Sequence, residues 1–182
     1  MSGIVLLVVL AILVFIAWTF NSLVHDRNQV HAAWADVDVQ LQRRHDLVPA
    51  LVASVRAYAV HESGLLERVA SERNNALAAR GIGERGKVET SLGLNLTRLI
   101  GLAEAYPNLK ANENFAQLST QLTDIEDALQ HARRFYNGSV RDYNTHLQRF
   151  PALFVARAFG FTAADFFAAE ADADATPQVA LE

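Results

Sequence analysis

Residues 115–150 read FAQLSTQLTDIEDALQHARRFYNGSVRDYNTHLQRF, and their spacing decides the fold. Phe115, Leu122, Leu129, Tyr136, Tyr143 and Phe150 recur every seven residues. Leu118, Ile125 and Ala132 fill the second position of the repeat, and Val140 and Leu147 resume it after a shift. Such a repeat keeps one stripe of an α-helix against a partner and favours left-handed supercoiling. The stretch therefore predicts one long helix packed against others. Asn114, three residues before Gln117, is the expected capping pair at its start, and Pro151 ends it.

The preceding sequence supplies the packing partners. Val88, Leu92, Leu96, Leu99, Ala103 and Tyr106 keep helical spacing until Pro107, which is expected to stop that helix. Gly81, Gly83 and Gly86 read as a loop. Gly64 marks a break or bend, after which Leu66, Val69, Ala70 and Leu77 resume a helical pattern. Before it, Val30, Trp34, Val37, Leu41, Val48, Val52, Val55 and Ala59 recur at steps of three and four with one gap of seven. Arg43, Arg44, His45 and Asp46 occupy that gap, just before Pro49, so a kink is expected near 45–49.

The chain starts apolar. Ile4 to Trp18 is unbroken, and no charge appears before Asp26. As a helix at ~1.5 Å per residue, Ile4 to Val24 reaches roughly 30 Å, the thickness of a bilayer's hydrocarbon core. Trp18 and Phe20 fall where an aromatic belt would lie. A cleaved signal would want basic residues before the run and a small-residue site after it, and both are missing. A buried core helix would need covering on every side. A permanent single-pass anchor is the expectation. Arg27, Arg43 and Arg44 follow it, so the positive-inside rule puts the body in the cytoplasm. Three arginines are the whole of that signal, and a periplasmic body stays open.

The expected fold class is all-α: an N-terminal transmembrane helix continuing into an elongated antiparallel bundle of about four helices, with short C-terminal helices. Residues 1–24 form the anchor, 25–169 the bundle and 170–182 a disordered acidic tail. Residues 150–167 hold Phe150, Phe154, Phe159, Phe161, Phe166 and Phe167. They are read as short helices folded onto the bundle, with a subunit contact or a patch dipping into the membrane surface as the competing reading.

Chemistry is bounded by what is missing. The 182 residues contain no cysteine, which removes disulfides and thiolate sites. With 16 basic residues against 20 acidic and only two lysines, Lys87 and Lys110, no nucleic-acid partner is expected. No Glu-x-x-His occurs for a di-iron site, and His61-Glu62 lacks the second histidine of a zinc protease. Residues 81–86 have the glycines of a phosphate loop at the wrong spacing. No catalytic residue, cofactor or metal is assigned. Candidate interaction or register residues are Arg43, Arg44, His45, Asp46, Glu126, Arg133, Asn137, Arg141 and Asn144, together with Phe159, Phe161, Phe166 and Phe167. The polar members either fix helix register through buried pairs or form a contact surface.

Several stretches resemble the LemA family. They are NQVHAAWADVDVQLQRRHDLVP at 28–49, YAVHE at 58–62, AYPNLKANENF at 105–115, Arg134-Phe-Tyr-Asn, Tyr143-Asn, Phe150-Pro, and Phe159-Gly-Phe with Phe166-Phe167 downstream. The likeness covers roughly residues 4–168. It implies a bacterial single-pass protein of the inner (cytoplasmic) membrane with a helical body, and brings no catalytic residue or cofactor. It also implies a neighbourhood of membrane proteases and other envelope proteins. The expected function is a membrane-anchored scaffold of the envelope that self-assembles as a homo-oligomer on the lipid bilayer, without catalysis. The alternative is an adaptor that binds a membrane protease or other envelope protein partner through exposed residues such as Arg141.

Overall fold

The computed structural model describes residues 2–167. Among these there are six α-helices and no strand: α1 (Ser2–Arg56), α2 (Ser63–Ala78), α3 (Ile82–Gly101), α4 (Pro107–Lys110), α5 (Glu113–Gln148) and α6 (Ala152–Ala158). Short 3-10 turns cover Val60–Glu62 and Leu102–Glu104. The expected tail at 170–182 lies outside the described residues. The chain divides into two compact units. One comprises residues 2–44 with Asp124–Asp165, the other His45–Thr123 with residues 166–167. Helices α1 and α5 each contribute to both.

In the first unit α1 and α5 run antiparallel, and three contacts fix their register. His146 Nδ1 lies 2.6 Å from Asp26 Oδ2, the Trp34 and Tyr136 rings meet edge-on at 5.4 Å, and Arg44 Nη1 donates to Glu126 Oε1 at 2.8 Å. The partners descend α5 as they climb α1. Leu23, Val30, Ala33, Val37 and Leu41 are buried from α1, and Leu129, Tyr136, Val140, Tyr143 and Leu147 from α5. Helix α6 adds Ala152, Val155 and Ala156. A fully buried Leu or Val contributes about 1.5–3 kcal/mol of hydrophobic stabilisation, so these stripes hold the pair together.

The second unit has its own core. It joins Val48, Leu51, Val52 and Val55 of α1 to Leu66 and Val69 of α2, Leu92, Leu96 and Leu99 of α3, and Phe115 and Leu122 of α5. Leu109 of α4 is buried there too.

Helix α1 runs unbroken through Pro49, and the structure corrects the sequence reading at other points. Proline cannot donate to the carbonyl four residues back, which is that of His45. Arg73 of α2 donates to that oxygen from Nε at 2.7 Å, so the acceptor freed by the proline is satisfied between helices. The gap in the α1 stripe is also filled: Arg44 and His45 are themselves buried. The first break falls after Arg56, and Gly64 lies in the first turn of α2. Gly83 and Gly86 sit inside α3, leaving only Ala79 to Gly81 as the connection, where Gly81 at φ +87° holds a conformation that side chains rarely adopt. Pro107 starts α4, where its missing donor costs nothing, and does not simply end α3.

Asn112 caps α5, in place of the expected Asn114. Its Oδ1 accepts the N–H of Phe115 at 2.9 Å, and its Nδ2 donates to the Tyr58 hydroxyl oxygen at 3.0 Å. Asn112→Ala should lower the stability of the second unit by about 1 kcal/mol, read from urea denaturation. Asn114→Ala at the neighbouring position should leave the midpoint nearly unchanged.

Helix α5 ends at Gln148, so the seven-residue repeat stops at Tyr143, and Phe150 is 77% exposed. The apolar start of α1 is uncovered by protein, with Ile4 71% and Trp18 69% exposed. That exposure removes the reading of a core helix. Among the described residues α1 is the one helix long and apolar enough to cross a membrane.

Candidate functional site

Beyond α6 the chain crosses the α1–α5 pair as a strap, residues 159–165, without regular structure. Backbone polar groups in such a segment need partners from elsewhere. Helix α5 provides them. The Tyr136 hydroxyl donates to the Asp165 carbonyl at 2.7 Å, and the Tyr143 hydroxyl to the Thr162 carbonyl at 3.1 Å. Asn144 pairs with Ala164 in both directions, its Nδ2 donating to the carbonyl and its Oδ1 accepting the N–H, each at 2.9 Å. Tyr136 and Tyr143 are two helical turns apart, which places both hydroxyls along one face.

The start of the strap clasps α1. Phe20 packs edge-on against Phe159 at 5.0 Å and Phe161 at 5.6 Å. The Arg27 guanidinium stands 5.4 Å from the Phe161 ring centroid, within range of a cation–π attraction.

Burial pushes the Tyr136 phenol up to about 12, and the Asp165 carboxylate adds to the rise. Burial also raises Tyr143, with Arg27 opposing and Asp26 assisting. Both phenols donate hydrogen bonds and so must keep their protons. In the unfolded chain they ionise near 10, so from about pH 10 towards 12 the unfolded state sheds protons that the folded state retains. Stability contributed by these groups is complete below pH 10 and declines as pH rises through that window. A thermal midpoint that falls between pH 9.5 and 11.5, by less in Tyr136→Phe, is the expected result in circular dichroism.

The remaining candidates separate. Arg44, with a side chain 3% exposed, pairs with Glu126, so Glu126 reaches across to α1. Arg43 and Asp46 are exposed, while Arg133 and Asn137 are half-buried. Arg141 is exposed, 3.7 Å from its neighbour Asp142, a pair of little energetic weight. Phe166 and Phe167 belong to the second unit, where Phe167 is buried.

The second unit holds a polar cluster in which only His45 was singled out from sequence. His45 Nε2 lies 2.8 Å from Glu89 Oε1, with both side chains buried. In the same unit, Glu72 accepts from the Ser91 hydroxyl and from Asn95 Nδ2, each at 2.7 Å. Proline four residues after His45 was the one sequence signal that this carbonyl would seek an outside donor. No signal marked Glu72, Glu89, Asp26 or His146. Among the described residues no three His, Cys, Asp or Glu side chains group as they would around a metal ion. These arrangements can fix helix register and pin a strap.

Fold and site together define a class: a helical protein whose body is continuous with an apolar N-terminal helix. The family model of the LemA family matches residues 33–181, and the chain belongs to that family. Among curated relatives it is similar to the magnetosome protein MamQ of Magnetospirillum gryphiswaldense, at 23% identity across 100% of this chain and 78% of the relative. Magnetosome protein MamQ 2 of Paramagnetospirillum magneticum is 24% identical across 96% of this chain and 76% of its own length. Protein LemA of Metamycoplasma hominis is 25% identical, covering 71% of this chain and 60% of the relative.

Proposed function

We propose that this protein is a membrane-anchored helical scaffold of the bacterial inner membrane, with its body in the cytoplasm, that associates with copies of itself and performs no catalysis. The observation that carries the reading is the division of labour among its side chains. The polar residues along α1 and α5 close the helix pair and pin the strap, while large apolar side chains remain on the outside. Phe135 of α5 is 54% exposed and Val39 of α1 is 50% exposed, both in the first unit. Burying such side chains between molecules would remove apolar surface from water, the main driving force of protein association. Anchoring in one plane raises the local concentration of copies, so weak side contacts become effective.

The test is crosslinking of the full-length protein in membranes, with a Phe135→Glu variant beside it. Ladders of multiples that fade in the variant support self-association through contacts at Phe135. A single stoichiometric product with a different protein, unaffected by Phe135→Glu, would replace the scaffold with an adaptor.

A further inference from the structure

We infer that Phe150, Phe154 and Phe159 form a foot that inserts into the lipid interface beside α1, so that the protein grips the bilayer at two places. The inference rests on reading α1 as a membrane span.

The register of the helix pair sets the depth. His146 is level with Asp26, and the two helices are antiparallel. The end of α5 at Gln148 therefore comes level with about Val24, the last residue of the apolar stretch. Phe150 and α6 follow immediately. Their position is thus the surface of the bilayer that α1 crosses. Phe159 reaches further still. Its ring packs on Phe20, and together with Leu13, Ile16, Ala17 and Asn21 it lines a single apolar hollow. Three of those residues lie within the uncovered part of α1.

Helix α6 has two unlike sides. Ala152, Val155 and Ala156 are buried. Phe154 is 62% exposed, and its ring meets that of Phe150 edge-on at 5.9 Å. Phe159 is 57% exposed despite its contact with Phe20. Three exposed phenylalanines in ten residues, continuous with the lipid-facing surface of a span, match an interfacial anchor, whose apolar side dips into the headgroup and acyl boundary. Arg149 precedes α6 and Arg157 lies in its last turn, both exposed, and Arg27 stands over Phe161. Cationic side chains at this level can reach lipid phosphates while their stems stay in apolar surroundings. The continuity of the foot with α1 favours lipid over a second protein as its covering.

The natural absence of cysteine makes the test direct. Single variants Phe150→Cys, Phe154→Cys and Phe159→Cys of the full-length protein carry a nitroxide label in nanodiscs of phosphatidylcholine and phosphatidylglycerol. Accessibility to oxygen, which concentrates in lipid, is compared with accessibility to a water-soluble nickel chelate. Val14→Cys marks the span, and Leu94→Cys, an exposed site in the second unit, marks water. Circular dichroism selects variants with the native helix signal. The expected result is an oxygen-to-nickel ratio at 150, 154 and 159 severalfold above that at 94 and approaching that at 14. Ratios equal to that at 94 overturn the foot while leaving the span intact. Shielding from both reagents overturns it in favour of a protein covering. A water-like ratio at 14 as well refutes the span on which the proposal rests.

Discussion

Glu89→Ala should destabilise the second unit by about 1–3 kcal/mol, the cost of leaving a buried polar group without its partner. His45 is 0% and Glu89 2% exposed, so water cannot take over the role of the missing partner. His45→Ala should cost a similar amount. The decisive comparison is the double variant His45→Leu with Glu89→Leu. Removing both polar groups together and filling the space should recover most of the loss, because neither desolvated group remains. Urea denaturation of the three variants gives the free energies. A double variant as unstable as either single one would show that the loss does not come from a desolvated group left unpaired, and that the 2.8 Å approach of the two side chains is not what holds the unit.

Tyr136→Ala should cost about 3–5 kcal/mol in the first unit, as large aromatic truncations in cores do. The ring is fully buried, meets Trp34 edge-on, and carries the hydroxyl that holds Asp165. Its removal therefore opens a cavity between α1 and α5 and frees one end of the strap. Tyr136→Phe isolates the second effect. It keeps the packing, loses one hydrogen bond and should cost about 1 kcal/mol. Amide hydrogen exchange tells the two apart: faster exchange confined to the strap is expected in Tyr136→Phe, and along the facing segments of α1 and α5 in Tyr136→Ala.

The helices were largely legible in the sequence because burial imposes a period. Phe115, Leu122, Leu129, Tyr136 and Tyr143 are all buried at seven-residue steps. Phe150 keeps the count but lies past the end of α5, since periodicity counts residues and cannot register where a helix stops. Proline and glycine misled for the opposite reason. Each has more than one structural use, so Pro107 opens a helix and Gly86 sits inside one. Arg44 and His45 read as an interruption because charge is the usual mark of solvent. Their burial depends on Glu126 and Glu89, which lie 82 and 44 positions further along the chain.

The site was legible only in part. Asn144, Phe159 and Phe161 were marked as candidates, and the structure brings them to one strap. Tyr136 and Tyr143 fill the apolar seam that their spacing predicts, but their hydroxyls also bond backbone carbonyls in a segment with no period of its own. An irregular segment held by side-chain bonds leaves no repeat to read. Nothing local in residues 159–165 names the helix they cross.

Self-association of the membrane-anchored helical body is the proposal on which the function rests. The native mass of the full-length protein in mild detergent, beside a form lacking residues 1–24, tests it most directly. A discrete oligomer is expected for the full-length protein, and a weaker, concentration-dependent one for the shortened form, because Phe135 and Val39 lie outside the removed segment but the anchor no longer gathers the copies. A strict monomer in both, across a wide concentration range, would contradict it.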